Sequence, residues 1–193
     1  TFPCEPDQTV LDAALKAGFL LPYGCRNGAC GSCKGSVAAG TIDWGNYAGG
    51  VLSDGEKSQG KALFCKAKPC SDVTIEARDV RRVGDIQIKI LPSRVEQVDK
   101  VTDDVAIVRM KVPANQNFQF QAGQYIDVLL PDKKRRSFSL AVAPHDTSLL
   151  ELHIRHLPGG LFTEPLFTTD KVKSIWRFEG PLGSFYLRED SDK

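Results

Sequence analysis

All six cysteines of this 193-residue chain lie in its first 77 residues, and the rest of the chain contains none. Cys25, Cys30 and Cys33 fall within nine residues in the sequence CRNGACGSCKG, where small residues fill most of the gaps. The next cysteine, Cys65, follows a long intervening segment. Thiols this close together form disulfides, exchange disulfides or bind metal. Their chemistry therefore constrains the N-terminal fold more than any other feature of the sequence.

Three alternatives to an iron site leave some of these cysteines unexplained. Disulfides are unexpected, because no secretory leader is recognisable and structural disulfides are rare in reducing compartments. A thioredoxin-type dithiol would use Cys30 and Cys33, but it needs a helix N-terminus and a strand-like sequence follows Cys33. Zinc prefers two close pairs of thiolates. Cys65 and Cys70 would make a poor second pair, and Cys25 would be left over.

A two-iron cluster explains the spacing better. Cys-x4-Cys-x2-Cys followed by a distant cysteine is the plant-type pattern for a 2Fe-2S cluster. The cluster and its thiolates carry negative charge, so backbone N–H groups must come close to the sulfurs. Gly24, Gly28 and Gly31 permit that approach and the unusual dihedral angles that it requires. Cys4 and Cys70 are then ordinary free thiols with no ligand role.

The composition names no partner by charge. The chain is 41% hydrophobic and 25% charged, with a formal net charge of +1, which is ordinary for a globular protein. Residues 1–77 contain eight acidic and seven basic residues, so this part gives no electrostatic clue to a partner. No apolar run approaches the ~20 residues of a membrane span. We expect a cytoplasmic protein without nucleic-acid or membrane partners.

The N-terminal part reads as one short helix crossing a small mixed sheet. The segment QTVLDAALKAGF predicts a helix with Thr9 as N-cap and Gly18 as C-cap. Three further segments read as strands: KGSVAAGTIDW, KALFC and SDVTIEAR. The predicted apolar face of the helix is formed by Val10, Leu11, Ala14 and Leu15.

The C-terminal part is mostly β. Six strand candidates at regular spacing predict an antiparallel barrel, with one helical interruption at GGLFTEPLF. The strand candidates are IQIKILPSRVEQV, VAIVRMKV, GQYIDVLL, RSFSLAVA, SLLELHIRH and VKSIWRFEG. The charged segment RDVRRVGD divides the halves, so we predict domains at 1–77 and 86–193 joined by a linker at 78–85.

The sequences LLPYGCRNGACGSCKGSVAAGTID and LSDGEKSQGKALFCKAKPCSDVTIEAR resemble the ferredoxin domain of NAD(P)H-dependent iron–sulfur flavoprotein reductases. This family includes reductase components of aromatic-ring dioxygenases and monooxygenases and CDP-6-deoxy-hexulose dehydrase reductases. The resemblance implies a mainly β, α+β chain: a β-grasp ferredoxin domain followed by a six-stranded antiparallel Greek-key barrel that binds FAD. It also implies the ligand set Cys25, Cys30, Cys33 and Cys65.

The segment RRSFSLA resembles the family's Arg-x-(Tyr/Phe)-Ser flavin motif, here Arg136, Ser137, Phe138 and Ser139. The resemblance implies that Arg136 binds the flavin phosphate, that Phe138 lies against the isoalloxazine ring and that Ser139 reaches the N5 edge. These roles suit a guanidinium, an aromatic ring and a hydroxyl. The preceding basic residues are interpreted as a solvated turn: Lys133, Lys134 and Arg135.

The segment HIRHLPGGLFTEPL resembles the family's second flavin motif, a strand followed by Gly-x-x-(Ser/Thr) at the start of a helix. Gly159 and Gly160 would let the backbone approach a pyrophosphate, whose oxygens would meet three N–H groups. Those N–H groups belong to Leu161, Phe162 and Thr163. By the same resemblance, His153, Ile154 and Arg155 line the ribityl and phosphate side, and Gly183 and Phe185 lie near the diphosphate.

The resemblance implies a relay from NAD(P)H through FAD and the 2Fe-2S cluster to a partner oxygenase or deoxysugar dehydrase. A nicotinamide-binding domain follows the barrel in the family, and no Gly-rich dinucleotide fingerprint occurs here, so we expect that domain to be absent from this chain. Two other functions stay open from the residues. One is an iron–sulfur electron carrier without flavin, and the other is a zinc-stabilised binding module that is not an enzyme.

Overall fold

The computed structural model describes residues 1–82, 86–169 and 171–187. These residues form two compact units. The first, called the N-terminal unit here, contains residues 1–82 and 183–185, and the second, the barrel unit, contains the other described residues. Residues 83–85 of the predicted linker, and residues 170 and 188–193 of the predicted second domain, lie outside the described residues.

The first helix of the N-terminal unit, α1 (Val10–Lys16), begins as predicted. The Thr9 side chain accepts a hydrogen bond from the Asp12 N–H at 3.2 Å. The helix ends at Lys16, and Gly18 just beyond it has φ +80°, the left-handed conformation common after helices. Ala13 is buried in place of the predicted Leu15. At 100° per residue, Ala13 lies nearer than Leu15 to the middle of the face that Val10 and Ala14 define.

A three-stranded antiparallel sheet, in the order β4-β2-β6, forms the centre of the N-terminal unit. All pairings among the described residues are antiparallel, so the prediction of a mixed sheet is wrong. A second helix, α2 (Asp54–Ser58), was not predicted. The strands are β1 (Phe19–Leu20), β2 (Lys34–Ala39), β3 (Ile42–Asp43), β4 (Lys61–Leu63), β5 (Lys68–Pro69), β6 (Thr74–Glu76) and β7 (Arg81–Arg82).

Phe64 connects the helix, the sheet and the cysteine loop. Its N–H donates to the Cys33 carbonyl at 3.1 Å, and its carbonyl accepts from the Leu11 N–H at 2.9 Å. A Cβ on Gly35 would lie 2.3 Å from the Phe64 ring, so only glycine fits beneath it. The buried ring thus fixes the position of the neighbouring Cys65 relative to Cys33.

The barrel unit is a nearly closed six-stranded antiparallel sheet in the order β11-β10-β13-β8-β9-β12. A hydrogen bond from the Ala141 N–H to the Glu151 carbonyl, 2.9 Å long, joins the two edges. The predicted six-stranded Greek-key barrel is confirmed. Its elements are β8 (Lys89–Lys100), β9 (Val105–Lys111), β10 (Tyr125–Leu129), β11 (Arg135–Ser139), β12 (Leu150–Arg155), helix α3 (Thr163–Thr168) and β13 (Ile175–Leu182).

Side chains fill the interior of the barrel. Strand β12 shows the period of two, since Leu150, Leu152 and Ile154 are fully buried and His153 and Arg155 are exposed. Buried side chains of the other strands pack against these residues. A ligand of flavin size must therefore bind outside this core. None of the described helices is long and apolar enough to cross a membrane.

Candidate iron–sulfur and flavin sites

The four predicted cluster ligands come together in two pairs of free thiols. The Sγ atoms of Cys33 and Cys65 are 3.2 Å apart, and both residues are buried. Cys30 is exposed and contacts Cys25, whose backbone N–H donates to the Cys30 sulfur at 3.4 Å. The fold thus brings Cys65 from a distant part of the sequence to the cysteine loop.

Two pairs of thiols suit two iron atoms better than one zinc ion. Among the described residues, no three His, Cys, Asp or Glu side chains converge on one point that could hold a single metal ion. Structural zinc needs four ligands around one ion, whereas a 2Fe-2S cluster shares four thiolates between two irons. The donor set therefore fits the cluster.

Hydrogen bonds favour the thiolate form of Cys30. Burial raises the pKa of Cys30, but hydrogen bonds from the Cys25 backbone and from Ser32 outweigh it and lower this pKa to about 7. The Ala29 N–H donates to the Cys25 sulfur at 3.4 Å. Such N–H groups stabilise negative charge on sulfur, which a cluster ligand carries.

A hydrogen bond joins the two thiols of the buried pair. The hydrogen bond with Cys65 lowers the pKa of Cys33 to about 7. The same bond, together with burial, raises the pKa of Cys65. One thiolate therefore forms readily at this pair, and the second proton must leave when iron binds.

The cysteine loop depends on two backbone positions in the left-handed region. Gly28 has φ +83°, and a Cβ there would lie 2.8 Å from the Cβ of Tyr47. Arg26 has φ +55° although it carries a side chain. Its guanidinium forms an ion pair with Asp12 of α1 at 3.1 Å, which holds the loop against the helix. The sequence analysis did not predict this pair, because it joins residues from separate elements.

Replacing Gly28 by alanine should reduce cluster content strongly. The new methyl group would clash with Tyr47, and alanine disfavours the positive φ at this position. Gly50 is a matched control, since it has φ +81° but no atom within 4 Å of its Cβ position. Gly50→Ala should lower the free energy of unfolding by only ~1 kcal/mol, the cost of placing alanine in the left-handed backbone region. Visible absorbance per polypeptide measures the cluster. Equal cluster content in the two variants would show that the contact with Tyr47 does not matter.

Cys4 and Cys70 lie apart from the four paired thiols. Cys70 is exposed, and its backbone N–H donates to the Thr41 carbonyl at 2.9 Å. The Cys4 sulfur contacts the Gln8 carbonyl at 3.7 Å, and burial is the main cause that raises its pKa. The prediction that neither thiol is a cluster ligand agrees with these contacts, which involve none of the four paired thiols.

The first flavin segment forms strand β11 at one edge of the barrel. Arg136 is exposed, and its guanidinium donates only to the Arg135 carbonyl, at 2.8 Å, among the described residues. The Ser137 hydroxyl donates to the buried Asp127 carboxylate at 2.6 Å, and Ser139 is exposed. The Phe138 ring is half-buried. A guanidinium at the barrel surface that forms no ion pair with the described residues is suited to bind a phosphate group.

Arg135 is not part of a solvated turn, so that interpretation was wrong. It lies in β11 and forms an ion pair with Glu179 of β13. The carboxylate of Asp127 is 3.8 Å away. Asp127 is only 4% exposed, and a buried carboxylate requires such compensation. The sequence showed a run of four basic residues but not the acidic residues that strand pairing brings to one of them.

In the second flavin segment, strand β12 exposes His153 and Arg155 but not Ile154. The Ile154 side chain is fully buried in the barrel core, so only its backbone can face a ligand. His153 contacts Glu151 at 2.9 Å. Arg155 forms an ion pair with Asp104 at 2.9 Å and is 81% exposed. The period of two explains the difference between Ile154 and its neighbours.

The turn before α3 leaves three backbone donors available. Within the part of the chain that the structure describes, the N–H groups of Leu161, Phe162 and Thr163 make no hydrogen bond. A Cβ on Gly160 would lie 2.5 Å from the Thr163 hydroxyl oxygen, so this turn requires glycine. The Gly159 N–H, by contrast, donates to Glu164 at 3.0 Å. Three free amides in succession suit the oxygens of a pyrophosphate.

The side chains of that turn serve the barrel core. Phe162 is 8% exposed. The centroid of its ring lies 5.2 Å from that of Phe138 and 4.9 Å from that of Trp176. Leu161 is exposed. Because Phe138 is only half-buried against Phe162, part of its ring surface remains open to a flat ligand.

The two residues predicted near the diphosphate belong to the N-terminal unit. The Gly183 N–H donates to the Tyr23 hydroxyl at 2.8 Å, so this donor is already engaged. Phe185 is 86% exposed. The placement of Phe185 near the diphosphate therefore stays a prediction, and Gly183 could contribute there only through close approach of its backbone.

Comparison with known proteins identifies both units. The family described as "2Fe-2S iron-sulfur cluster binding domain" matches residues 1–70, and the family described as "Oxidoreductase FAD-binding domain" matches residues 92–186. The chain therefore carries an iron–sulfur cluster binding domain followed by an oxidoreductase FAD-binding domain. It corresponds to the ferredoxin and FAD-binding portions of the ferredoxin–flavin reductase family. Proteins similar to it are named as reductases of a hexulose dehydrase and of a dioxygenase.

Individual relatives agree with this family. The chain is 34% identical over 190 residues to CDP-6-deoxy-L-threo-D-glycero-4-hexulose-3-dehydrase reductase of Yersinia pseudotuberculosis, covering 98% of the chain and 57% of the relative. It is 34% identical over 192 residues to terephthalate 1,2-dioxygenase reductase component 1 of Comamonas, covering 100% and 56%. The crystal structure of Amycolatopsis cytochrome P450 reductase GcoB matches with a TM-score of 0.86 and 34% identity, covering 99% and 58%. The chain thus spans little more than half the length of these relatives.

Proposed function

We propose that the chain transfers electrons from NAD(P)H, through FAD at the barrel unit and a 2Fe-2S cluster in the N-terminal unit, to a partner oxygenase or deoxysugar dehydrase. The observation that carries the proposal is the arrangement of four free thiols in two pairs, in one chain with the flavin motif segments. Both named classes of acceptor come from the relatives, whose printed names describe reductase components of such enzymes.

In this proposal Cys25 and Cys30 bind one iron, and Cys33 and Cys65 bind the other. The pairing follows the contacts that the thiols make in the fold. The N–H donors of the loop then compensate the negative charge that accumulates on reduction. Cys30 is the exposed member of the set, so it gives the cluster its contact with the protein surface.

We propose that the flavin binds at the outer surface of the barrel. Arg136 would hold a phosphate, and the free amides at residues 161–163 would hold the pyrophosphate oxygens. The open part of the Phe138 ring would support the isoalloxazine, with the Ser139 hydroxyl at its N5 edge. When bound, FAD supplies the conversion between two-electron hydride chemistry and one-electron transfer.

Cofactor analysis of the anaerobically purified protein tests the function. We expect two irons and two acid-labile sulfides per chain, as the cluster type requires, together with FAD released on denaturation. Iron and sulfide without FAD would favour the simple electron carrier. Zinc in place of iron would favour the binding module. Either result would contradict the proposal.

Arg136→Ala should weaken FAD retention and leave the cluster intact. A phosphate would lose a charge-assisted partner, at a typical cost of ~1.5–3 kcal/mol or roughly ten- to a hundredfold in affinity. Lys134→Ala removes the same charge from an exposed position two residues earlier and is the control. FAD per polypeptide after gel filtration is the measurement. If both variants retain FAD equally, Arg136 does not bind the phosphate.

We also propose a cytoplasmic location. All six cysteines are free in the structure, and the four paired thiols must stay reduced until iron binds. A reducing compartment keeps them so.

A further inference from the structure

A cavity of about 710 Å³ opens beside Cys30, the exposed cluster thiol. Its wall contains basic side chains from neighbouring strands of the central sheet, Lys34 of β2 and Lys61 of β4. Arg78 and Glu76 contribute from the end of β6 and the segment after it. Three cations and one carboxylate therefore line a concave surface at the point where the cluster reaches the protein exterior.

Among the residues that the structure describes, two of these cations form no ion pair with a carboxylate. Lys34 forms an ion pair with Glu56 at 2.6 Å, so its charge is compensated. Lys61 donates to the neutral Ser36 hydroxyl at 2.8 Å, so this contact does not compensate its positive charge. Arg78 is exposed and forms no ion pair within the described ranges of the chain. The cavity is thus locally positive, although residues 1–77 as a whole carry one more acidic than basic residue.

The lining is unlike that of a typical small-molecule site. Such sites are mostly apolar and aromatic with few polar groups. Here the aliphatic side chains in the lining are those of Val51 and Ala77, and the lining contains no aromatic residue. A polar, open surface with uncompensated positive charge suits the acidic side chains of another protein.

We propose that this cavity, defined by Cys30, Lys34, Lys61, Glu76 and Arg78, is the docking site for an acidic surface of the electron-accepting protein. The inference rests on the proposed function, because it requires a cluster that delivers electrons. Docking here puts the acceptor next to Cys30, the exposed thiol of the set. Glu76 is the one lining group that opposes an acidic partner.

Two haem acceptors of opposite charge test the inference: acidic cytochrome b5 and basic cytochrome c. The reduced protein is mixed with each oxidised acceptor at low ionic strength, and reoxidation of the cluster is followed by stopped-flow absorbance. Arg78→Glu should slow electron transfer to cytochrome b5 on the order of tenfold and accelerate transfer to cytochrome c, because electrostatic steering changes association rates by 10–10³. Salt should remove both effects.

Two further variants make the test specific. Glu76→Gln should accelerate transfer to cytochrome b5, the opposite of Arg78→Glu, since it removes the opposing charge. Lys16→Glu makes the same charge change as Arg78→Glu at an exposed position of α1 outside the cavity, and it should leave both rates within about twofold of wild type. A Cys65→Ser chain, measured in parallel, gives the rate of any direct transfer from the flavin.

The outcomes separate this inference from the proposed function. Cluster absorbance is recorded first, and its absence in the wild type would overturn the proposed function and the inference together. A normal cluster with equal effects of Arg78→Glu and Lys16→Glu would overturn the docking site alone. So would inhibition by inorganic phosphate that exceeds inhibition by chloride at equal ionic strength, because it would assign the cavity to a small anion.

Discussion

Replacing Cys65 by serine should leave the protein without its 2Fe-2S cluster while FAD remains bound. A cluster of this type needs four thiolates, and serine supplies a hydroxyl whose proton is far harder to remove. The Sγ atom of Cys65 is buried 3.2 Å from the Sγ atom of Cys33, so the serine hydroxyl would occupy the predicted ligand position. The cluster and the flavin belong to separate units, so loss of one should not remove the other.

The measurement is the visible spectrum together with iron, sulfide and FAD content. Cys70→Ser is the matched control, because Cys70 lies only five residues further along the chain and is exposed. Its cluster content should equal that of the wild type. A Cys65→Ser protein with an unchanged cluster spectrum would contradict the ligand assignment, whatever the control shows.

Serine variants of the other three predicted ligands should behave alike in cluster content but not in stability. Cys33→Ser places a hydroxyl at a buried site beside the Cys65 thiol, whereas Cys30→Ser changes an exposed residue. The free energy of unfolding of the apo protein should therefore fall more in Cys33→Ser than in Cys30→Ser, as measured by denaturant unfolding. This difference separates the thiol's role as a ligand from its role in packing.

Local sequence patterns predicted the elements that depend on local physics. The Thr9 cap of α1 and the alternation of β12 arise from residues close together in the sequence, and both are present in the structure. Helix α2 could have been predicted in the same way, because Ser53 and Glu56 form a capping box. The glycine-rich composition of the surrounding segment concealed this signal.

Contacts across the fold could not be predicted from the sequence in the same way. The positive cavity arises because the strand order β4-β2-β6 places Lys61, Lys34 and the segment of Arg78 side by side. A count of charges along the chain averages these residues with acidic ones elsewhere. Arg135 was misread for the same reason, since its partner Glu179 lies 44 residues away in the sequence.

A polypeptide of residues 1–193 alone should accept electrons from dithionite but only slowly from NADH or NADPH. Hydride transfer requires the nicotinamide to be held against the flavin ring, and such orientation can contribute ~7–11 kcal/mol to lowering a barrier. The sequence contains no Gly-rich strand-to-helix fingerprint that would hold a dinucleotide, and the chain spans 57% of its Yersinia relative. The expected difference in rate is therefore several orders of magnitude.

Stopped-flow mixing with each nucleotide, followed at flavin and cluster wavelengths, measures this difference. The control is the same polypeptide joined to the C-terminal part of a full-length relative, which should restore fast reduction. Because dithionite needs no oriented binding, its rate reports whether the two centres are intact in both proteins. Fast reduction of residues 1–193 by NADH would mean that the barrel unit itself binds the nucleotide. The surface beside Phe138 would then have to accommodate the nicotinamide as well as the flavin.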